Sequence, residues 1–263
     1  PVGQTGVTPT VARFVAGGIT REQLKAIGLA ALADPPVPSD NPPWDPERKF
    51  KKVELGKMLF FDPRMSGDSS VSCSTCHLPG KGWGDGLDLS DGYPGTKHWR
   101  NTQTILNAVY YSKLFWGGEA TSLEKQAESA WTGALGHNLD PDMAEERLRQ
   151  IPEYVRLFRD VFGDLAPSFG SAAAAVAAFE STITSRDAPF DRYMEGDNSA
   201  LSESALRGLG LFTDKAGCSA CHSGPLFTDE SYHSLGVPEN PKFKDEPLRQ
   251  ITLRYQQRSR GVA

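Results

Sequence analysis

Apolar residues recur three and four positions apart along much of this chain, and glycine, proline and polar residues mark the breaks, the pattern of helices joined by long loops. Thr20 with Gln23 forms a capping box, and Leu24, Ile27 and Ala31 continue at helical spacing until Asp34-Pro35-Pro36 ends the run. Six prolines from Pro35 to Pro46 exclude regular structure and predict an extended linker. A second helix is predicted from about Glu47 to Phe61, with Val53, Gly56, Leu59 and Phe60 on one face and a stop at Asp62-Pro63. Leu78 to Lys97 is glycine-rich and without periodicity, a long loop of the kind that usually carries function. Thr121 and Glu124 cap a helix to about Leu135. Asp140-Pro141 opens another, which breaks near Pro152, resumes through Tyr154, Leu157, Phe158 and Val161, and stops at Gly163. The alanine-rich stretch Ser171 to Arg186 places Val176, Phe179 and Ile183 on one stripe and reads as a buried helix. Ser202 to Lys215, with Leu206, Leu209 and Phe212 apolar, is a last helix. No alternating run of strand character stands out, so the expected fold is all-α with long loops.

Composition narrows the function classes. A chain of 263 residues, 38% of them hydrophobic, can bury one large core or two modest ones. The 28 basic and 33 acidic residues leave a net charge of -5, which argues against a nucleic-acid surface. No apolar run reaches the length of about 18 residues that a membrane span needs, and a soluble protein is expected. Position 1 opens without a charged and apolar leader, so an export signal is expected to be absent from this chain rather than disproved.

The strongest chemical signal is a repeated pentapeptide. Cys73-Ser74-Thr75-Cys76-His77 and Cys218-Ser219-Ala220-Cys221-His222 together consume all four cysteines. In C-x-x-C-H the thiols add to the vinyl groups of a haem and the histidine gives the iron its proximal nitrogen, so two covalent haem c groups are expected. One zinc ion held by four thiolates is the bland alternative, but 145 residues separate Cys73 from Cys218, and zinc gives no reason for a histidine after each pair. A disulfide framework suits a chain of this length poorly. Covalent haem attachment implies assembly outside the bacterial cytoplasm, and with it a periplasmic location.

The surrounding residues resemble a known family. Leu55-Gly56-Lys57-Met58-Leu59-Phe60-Phe61-Asp62 stands before the first motif and Arg100-Asn101-Thr102 after it. Phe115-Trp116-Gly117-Gly118, Leu123-Glu124-Lys125-Gln126-Ala127 and Tyr232-His233-Ser234-Leu235-Gly236 come next, in order. Over about Leu55 to Val237 the chain is similar to the bacterial dihaem cytochrome c peroxidases and to MauG, which oxidises tryptophans of a partner protein. The resemblance implies two cytochrome-c-like helical domains with one haem each and a calcium ion at their interface. The expected bounds are 1–165 for a peroxidatic domain with an N-terminal extension and 166–263 for an electron-transfer domain. The latter looks incomplete, because relatives continue beyond the Tyr-His motif with a Met or Tyr opposite the second iron, whereas Met58, Met65, Met143 and Met194 all precede the second motif.

The resemblance also implies roles for single residues. His77 would carry the peroxide-binding haem and His222 the electron relay; Trp116 would lie between the haems, and Asn101 would bind calcium. Read alone, Trp116 could equally be core and Asn101 a turn residue. Where relatives place a distal carboxylate, about ten residues past Gln126, this chain has Ala134-Leu135-Gly136-His137; Glu119 also stands where relatives have Arg. His137 is the nearest titratable substitute for moving the peroxide proton, with Gln126 as a neutral partner. His233 is a candidate contact for a haem propionate, or the sixth ligand itself. His98, or Tyr93, occupies the region where some relatives block the first iron, and an open iron is the favoured reading. Expected partners are hydrogen peroxide and a small redox protein, cytochrome c or cupredoxin, with a homodimer compatible. The alternatives are peroxide-dependent oxidation of tryptophan or tyrosine in a partner protein, and a non-catalytic dihaem electron carrier.

Overall fold

The computed structural model describes residues 19–36, 46–98, 100–163, 166–238 and 241. Among them the helices are α1 (Arg21–Ala26), α2 (Pro46–Phe61), α3 (Cys73–Cys76), α4 (Leu123–Thr132), α5 (Pro141–Arg149), α6 (Pro152–Phe162), α7 (Phe169–Glu180), α8 (Pro189–Glu195) and α9 (Glu203–Thr213). One small antiparallel pair, β1 (Asp91–Gly92) and β2 (Thr96–Lys97), interrupts the expected all-α pattern. No helix among the described residues is long and apolar enough to cross a membrane.

The described residues group into two compact units, residues 19–34 with 185–235, and a larger one chiefly from 46–184. This division differs from the expected bounds at 165 and 166, and α7 is the reason. Its small residues let α2 approach so closely that a Cβ on Gly56 would lie 1.8 Å from the Ala175 carbonyl oxygen. With Leu55, Leu59 and Phe60 of α2, Ala127 and Trp131 of α4, and Tyr154, Phe158 and Val161 of α6, Ala172, Ala173, Ala175 and Val176 belong to the larger unit's core. Asp62 ends α2 and fastens the turn after it: it accepts from the Arg64 backbone N–H at 2.9 Å and from the buried Tyr154 hydroxyl at 2.6 Å. Burial alone would raise its carboxyl pKa, but these bonds and the Arg64 guanidinium hold it below the usual range.

The smaller unit is built on Leu24, Leu29, Tyr193 and Met194, with Phe190, Leu201, Leu206, Leu209 and Phe227 packed around them. Its α1 carries the expected capping box but stops at Ala26 rather than near Asp34, because Gly28 turns at φ +84° and the Leu29 N–H folds back onto the Leu24 carbonyl. Other boundaries move by a turn or less, except the end of α7. α4 is capped by Ser122 rather than Thr121, and α7 spans 169–180 rather than 171–186. The expected linker lies mostly outside the described residues, as does the chain after 241.

Candidate haem sites

In the larger unit α3 is a single turn closed by the His77 N–H bonding the Cys73 carbonyl at 2.9 Å. Trp83, held at φ +61°, turns its own carbonyl onto His77 Nδ1 at 3.0 Å. That bond fixes the tautomer and leaves Nε2 for iron. The Phe60 ring stands 6.5 Å from the imidazole and 6.0 Å from Trp83, and Phe179 lies 5.2 Å from Phe60. Burial in this aromatic shell lowers the His77 pKa.

Three loops close around the motif. Arg147 donates to the carbonyls of Arg64 at 3.0 Å, Ser66 at 2.5 Å and Gly67 at 2.7 Å, and pins the loop that precedes Cys73. The Gly67 N–H bonds the His137 carbonyl at 2.8 Å, and His137 Nδ1 lies 2.7 Å from the Met65 carbonyl. The β1–β2 hairpin sits on the second cysteine, with Cys76 Sγ 3.4 Å from the Asp91 carbonyl, and the Tyr93 N–H bonds Leu135.

The smaller unit repeats the arrangement. The His222 N–H bonds the Cys218 carbonyl at 2.9 Å, and Nδ1 lies 3.0 Å from the carbonyl of Phe227, itself at φ +55°. The Phe212 ring stands 6.3 Å from His222 and 5.9 Å from Phe227. Beside it opens an apolar cavity of about 270 Å³ lined by Phe190, Leu201, Ala205, Gly208, Leu209, Phe212 and Phe227.

These surroundings fit a haem at each motif. The cavity by His222 offers the apolar walls a porphyrin needs. At the first motif the buried Glu180 Oε2 lacks a hydrogen-bond partner among the described residues, and the buried Trp131 Nε1 has no polar neighbour there beyond the Cys73 sulfur, on which both groups act. Burial and the neighbouring Glu124 push the Glu180 carboxyl up to about 8. Buried polar groups left without partners mark a site made for a further group. A metal cluster is also geometrically open to Cys221, Asp229 and His233, whose ligand atoms lie within 4.8 Å of one another, but a thioether at Cys221 removes its thiolate.

The remaining predicted residues divide. Trp116 is 43% exposed, which rules out the core reading; its indole N–H donates to the Asn101 carbonyl at 3.0 Å and Arg100 lies over its ring. Asn101 is itself exposed. His137 is buried close enough to His77 to feel its charge, and burial lowers its pKa to about 4. Gln126 lies on α4, half-buried, with no bond from its amide among the described residues. Glu119 folds onto the Gly117 N–H at 3.1 Å. A side chain at Gly136 would meet the Ala130 carbonyl at 2.3 Å, so the relatives' carboxylate has no room there. His98 Nδ1 accepts from the Arg100 N–H at 3.3 Å. His233 is exposed and paired with Asp229 at 2.8 Å.

Sequence reasoning missed Asp85, Trp131 and Glu180, and the residues Trp83 and Phe227 whose carbonyls accept from the two histidines. A readable signal was present: Gly56-Lys57-Met58-Leu59-Phe60-Phe61-Asp62 and Gly208-Leu209-Gly210-Leu211-Phe212-Thr213-Asp214 share the pattern G-x-x-L-F-x-D ahead of the two motifs. It marks the phenylalanine that faces each histidine.

The family model described as di-haem cytochrome c peroxidase matches residues 50–199. A cytochrome-c peroxidase, IdrP1, of Pseudomonas sp. (strain SCT) is 51% identical over 237 residues, which is 89% of this chain and 61% of that protein. The methylamine utilization protein MauG of Methylorubrum extorquens is 46% identical over 203 residues, 77% of this chain and 56% of its own. Among solved structures, a MauG-like protein associated with microbial copper homeostasis matches at TM-score 0.67 and 32% identity, covering 80% of this chain and 61% of that one. The chain thus spans about three fifths of the length of these relatives. With both C-x-x-C-H motifs in haem-competent surroundings and most of its length matched, the chain belongs to the di-haem cytochrome c peroxidase family.

Proposed function

We propose that this chain is the haem-bearing part of a periplasmic peroxide-dependent oxidoreductase, with the peroxide site at His77 and electron entry from a small cytochrome or cupredoxin at His222. The observation that carries this reading is the matched pair of histidines, each with Nδ1 on a backbone carbonyl and Nε2 left for iron, the first enclosed and the second beside an open apolar cavity. When bound, haem would supply the iron that takes up the oxidising equivalents of peroxide, and the protein supplies position and proton movement. Trp83 holds His77 in register, while Phe60 and Phe179 keep water from that side. Peroxide cleavage needs a group that takes a proton from one oxygen and returns it to the other. His137 suits this role: Nδ1 is engaged with Met65, and Nε2 carries no bond to a described residue. Its depressed pKa keeps that nitrogen unprotonated at neutral pH, free to accept a proton. Gln126 assists as a hydrogen-bonding partner. Trp116, oriented by Asn101, carries electrons between the haems, and the Asn101 side chain contributes to a calcium site.

Stopped-flow mixing of the haem-loaded protein with hydrogen peroxide tests the assignment. His77→Gly is expected to abolish turnover and leave the second haem reducible, and Trp116→Phe to keep the fold but slow inter-haem transfer. Full turnover in His77→Gly, with peroxide binding lost in His222→Gly, would reverse the roles. A second reading, oxidation of a tryptophan or tyrosine on a partner protein, is favoured by the exposed Trp116 ring and by the lack of room for a carboxylate at Gly136. A slow reaction with peroxide that His137 substitutions leave unchanged supports it.

A further inference from the structure

The two motifs share one more feature. Two residues after each residue whose carbonyl accepts from the histidine comes an aspartate, Asp85 after Trp83 and Asp229 after Phe227. Each addresses the second cysteine of its motif. Asp85 acts electrostatically on Cys76 and on His77. The Asp229 backbone N–H bonds the Cys221 carbonyl at 3.0 Å, and its carboxylate stands within 4.8 Å of Cys221 Sγ.

Their settings differ. Asp85 is 4% exposed, and among the described residues its carboxylate bonds neutral donors, the Leu87 N–H at 2.9 Å and the Thr102 hydroxyl at 3.1 Å, with Ser90 on that hydroxyl at 2.5 Å. The nearby cation, Lys81, has an exposed side chain and bonds the Asp85 backbone carbonyl, not the carboxylate. Asp229 is exposed, and besides the Ser231 N–H at 2.9 Å it has His233 as a side-chain partner at 2.8 Å.

We propose that Asp85 and Asp229 are matched charge-setting carboxylates behind the two haems, and that Asp85, buried and with no cation bonded to its carboxylate among the described residues, holds the first haem at a lower reduction potential than its surroundings alone would give. A fixed negative charge favours the more positive, oxidised iron. It does so strongly in a low-dielectric setting and weakly where water and a partner screen it. Although burial opposes it, the hydrogen bonds from Leu87, Ser90 and Thr102 keep the Asp85 carboxyl below its usual range, so the charge persists at neutral pH. Neither aspartate touches peroxide; both are positioning residues that act through the field at the iron.

The role of both aspartates rests on haem attachment at both motifs, which a haem count of the purified protein tests separately. Its own test is a spectroscopic redox titration of the haem-loaded protein with the two haems followed individually. Asp85→Asn is expected to raise the one-electron reduction constant of the first haem by at least about tenfold, or ~59 mV, and to leave the second unchanged. Asp229→Asn is expected to raise the second haem's constant by less. Asp85→Glu, which keeps the charge, is expected to stay near wild type. Should Asp85→Asn fail to take up haem, Thr102→Val serves instead: it removes one of the bonds that hold the carboxyl ionised and is expected to raise the first haem's potential as Asn does, by less. An unmoved first haem in either variant, equal shifts at both haems, or a Glu variant that behaves like Asn would overturn the proposal.

Discussion

His77 and His222 keep the same backbone bonds and face a phenylalanine at nearly the same distance, yet one lies in an aromatic shell and the other is exposed beside a cavity. The shared part is local: a one-turn pentapeptide, then a residue at positive φ that turns its carbonyl back onto the imidazole. The differing part is tertiary and begins in the helix ahead of each motif. Gly56 and Gly208 hold the same place in the G-x-x-L-F-x-D repeat, but Gly56 is pressed against the α7 backbone and Gly208 has nothing within 4 Å because it opens on the cavity. One sequence repeat thus gives one histidine geometry in two environments, one enclosed and one accessible, and the proposed division of roles rests on that difference.

The largest expected effect strikes that difference directly. Gly56→Ala puts a methyl group where the Ala175 carbonyl already is, and neither backbone can yield without separating α2 from α7. A loss of about 3 kcal/mol is expected, at the upper end of overpacking costs. Gly208→Ala is expected to be neutral or to stabilise by up to ~1 kcal/mol through helix propensity. Urea unfolding of the two variants compares them, and equal costs would break the contrast.

The same contrast explains what the sequence made legible. The C-x-x-C-H motifs, the Asp140-Pro141 start, the Gly163 stop and the Thr20 capping box are local codes, each written within a few residues, and the structure obeys them. Gly28 is local too, but apolar spacing runs straight through its left-handed turn and so overstates α1 by two turns. The placement of α7 depends on which surface its alanines meet, and no periodicity states that the surface is α2. Glu180 shows the limit most clearly. At the end of an alanine-rich helix a glutamate reads as a solvated terminus, and only packing reveals it as buried beside Cys73.

A smaller effect should belong to the larger unit alone. Glu180 carries a carboxyl whose folded pKa, about 8, lies above the ordinary value of 4.5, because burial and then Glu124 disfavour its charge. Its contribution to stability is therefore fully present below pH 4.5 and is lost as pH rises through 8. The loss is on the order of a few kcal/mol. Glu180→Gln keeps the shape without the proton, so the variant is expected to lose less stability than wild type between pH 5 and pH 9 in thermal unfolding. A wild-type protein whose stability is flat over that alkaline range would mean that Glu180 is held by a partner that tolerates its charge.

The smallest expected effect concerns His137, where latch and proton shuttle must be told apart. Burial depresses its pKa to about 4 from the ordinary 6.5, with the charge of nearby His77 adding to the shift and the Met65 carbonyl opposing it. A base with that value stays unprotonated through neutral pH, so the reaction with peroxide should hold its rate down to about pH 5 and fall near 4. The fold weakens over the same window, since the unfolded chain takes up the proton first as pH drops below 6.5. His137→Ala is expected to slow the reaction at least roughly tenfold, the lower part of the range for general acid and base assistance. Alanine also removes the bond to Met65, and a displaced loop could slow the reaction by itself. His137→Asn separates the two: its amide N–H can still donate to the Met65 carbonyl, but it cannot carry the peroxide proton. An Asn variant as slow as Ala, without the fall near pH 4, makes His137 the shuttle that distinguishes the first site from the second. One as fast as wild type reduces it to a latch, and the contrast between the two units then lies in packing and charge alone.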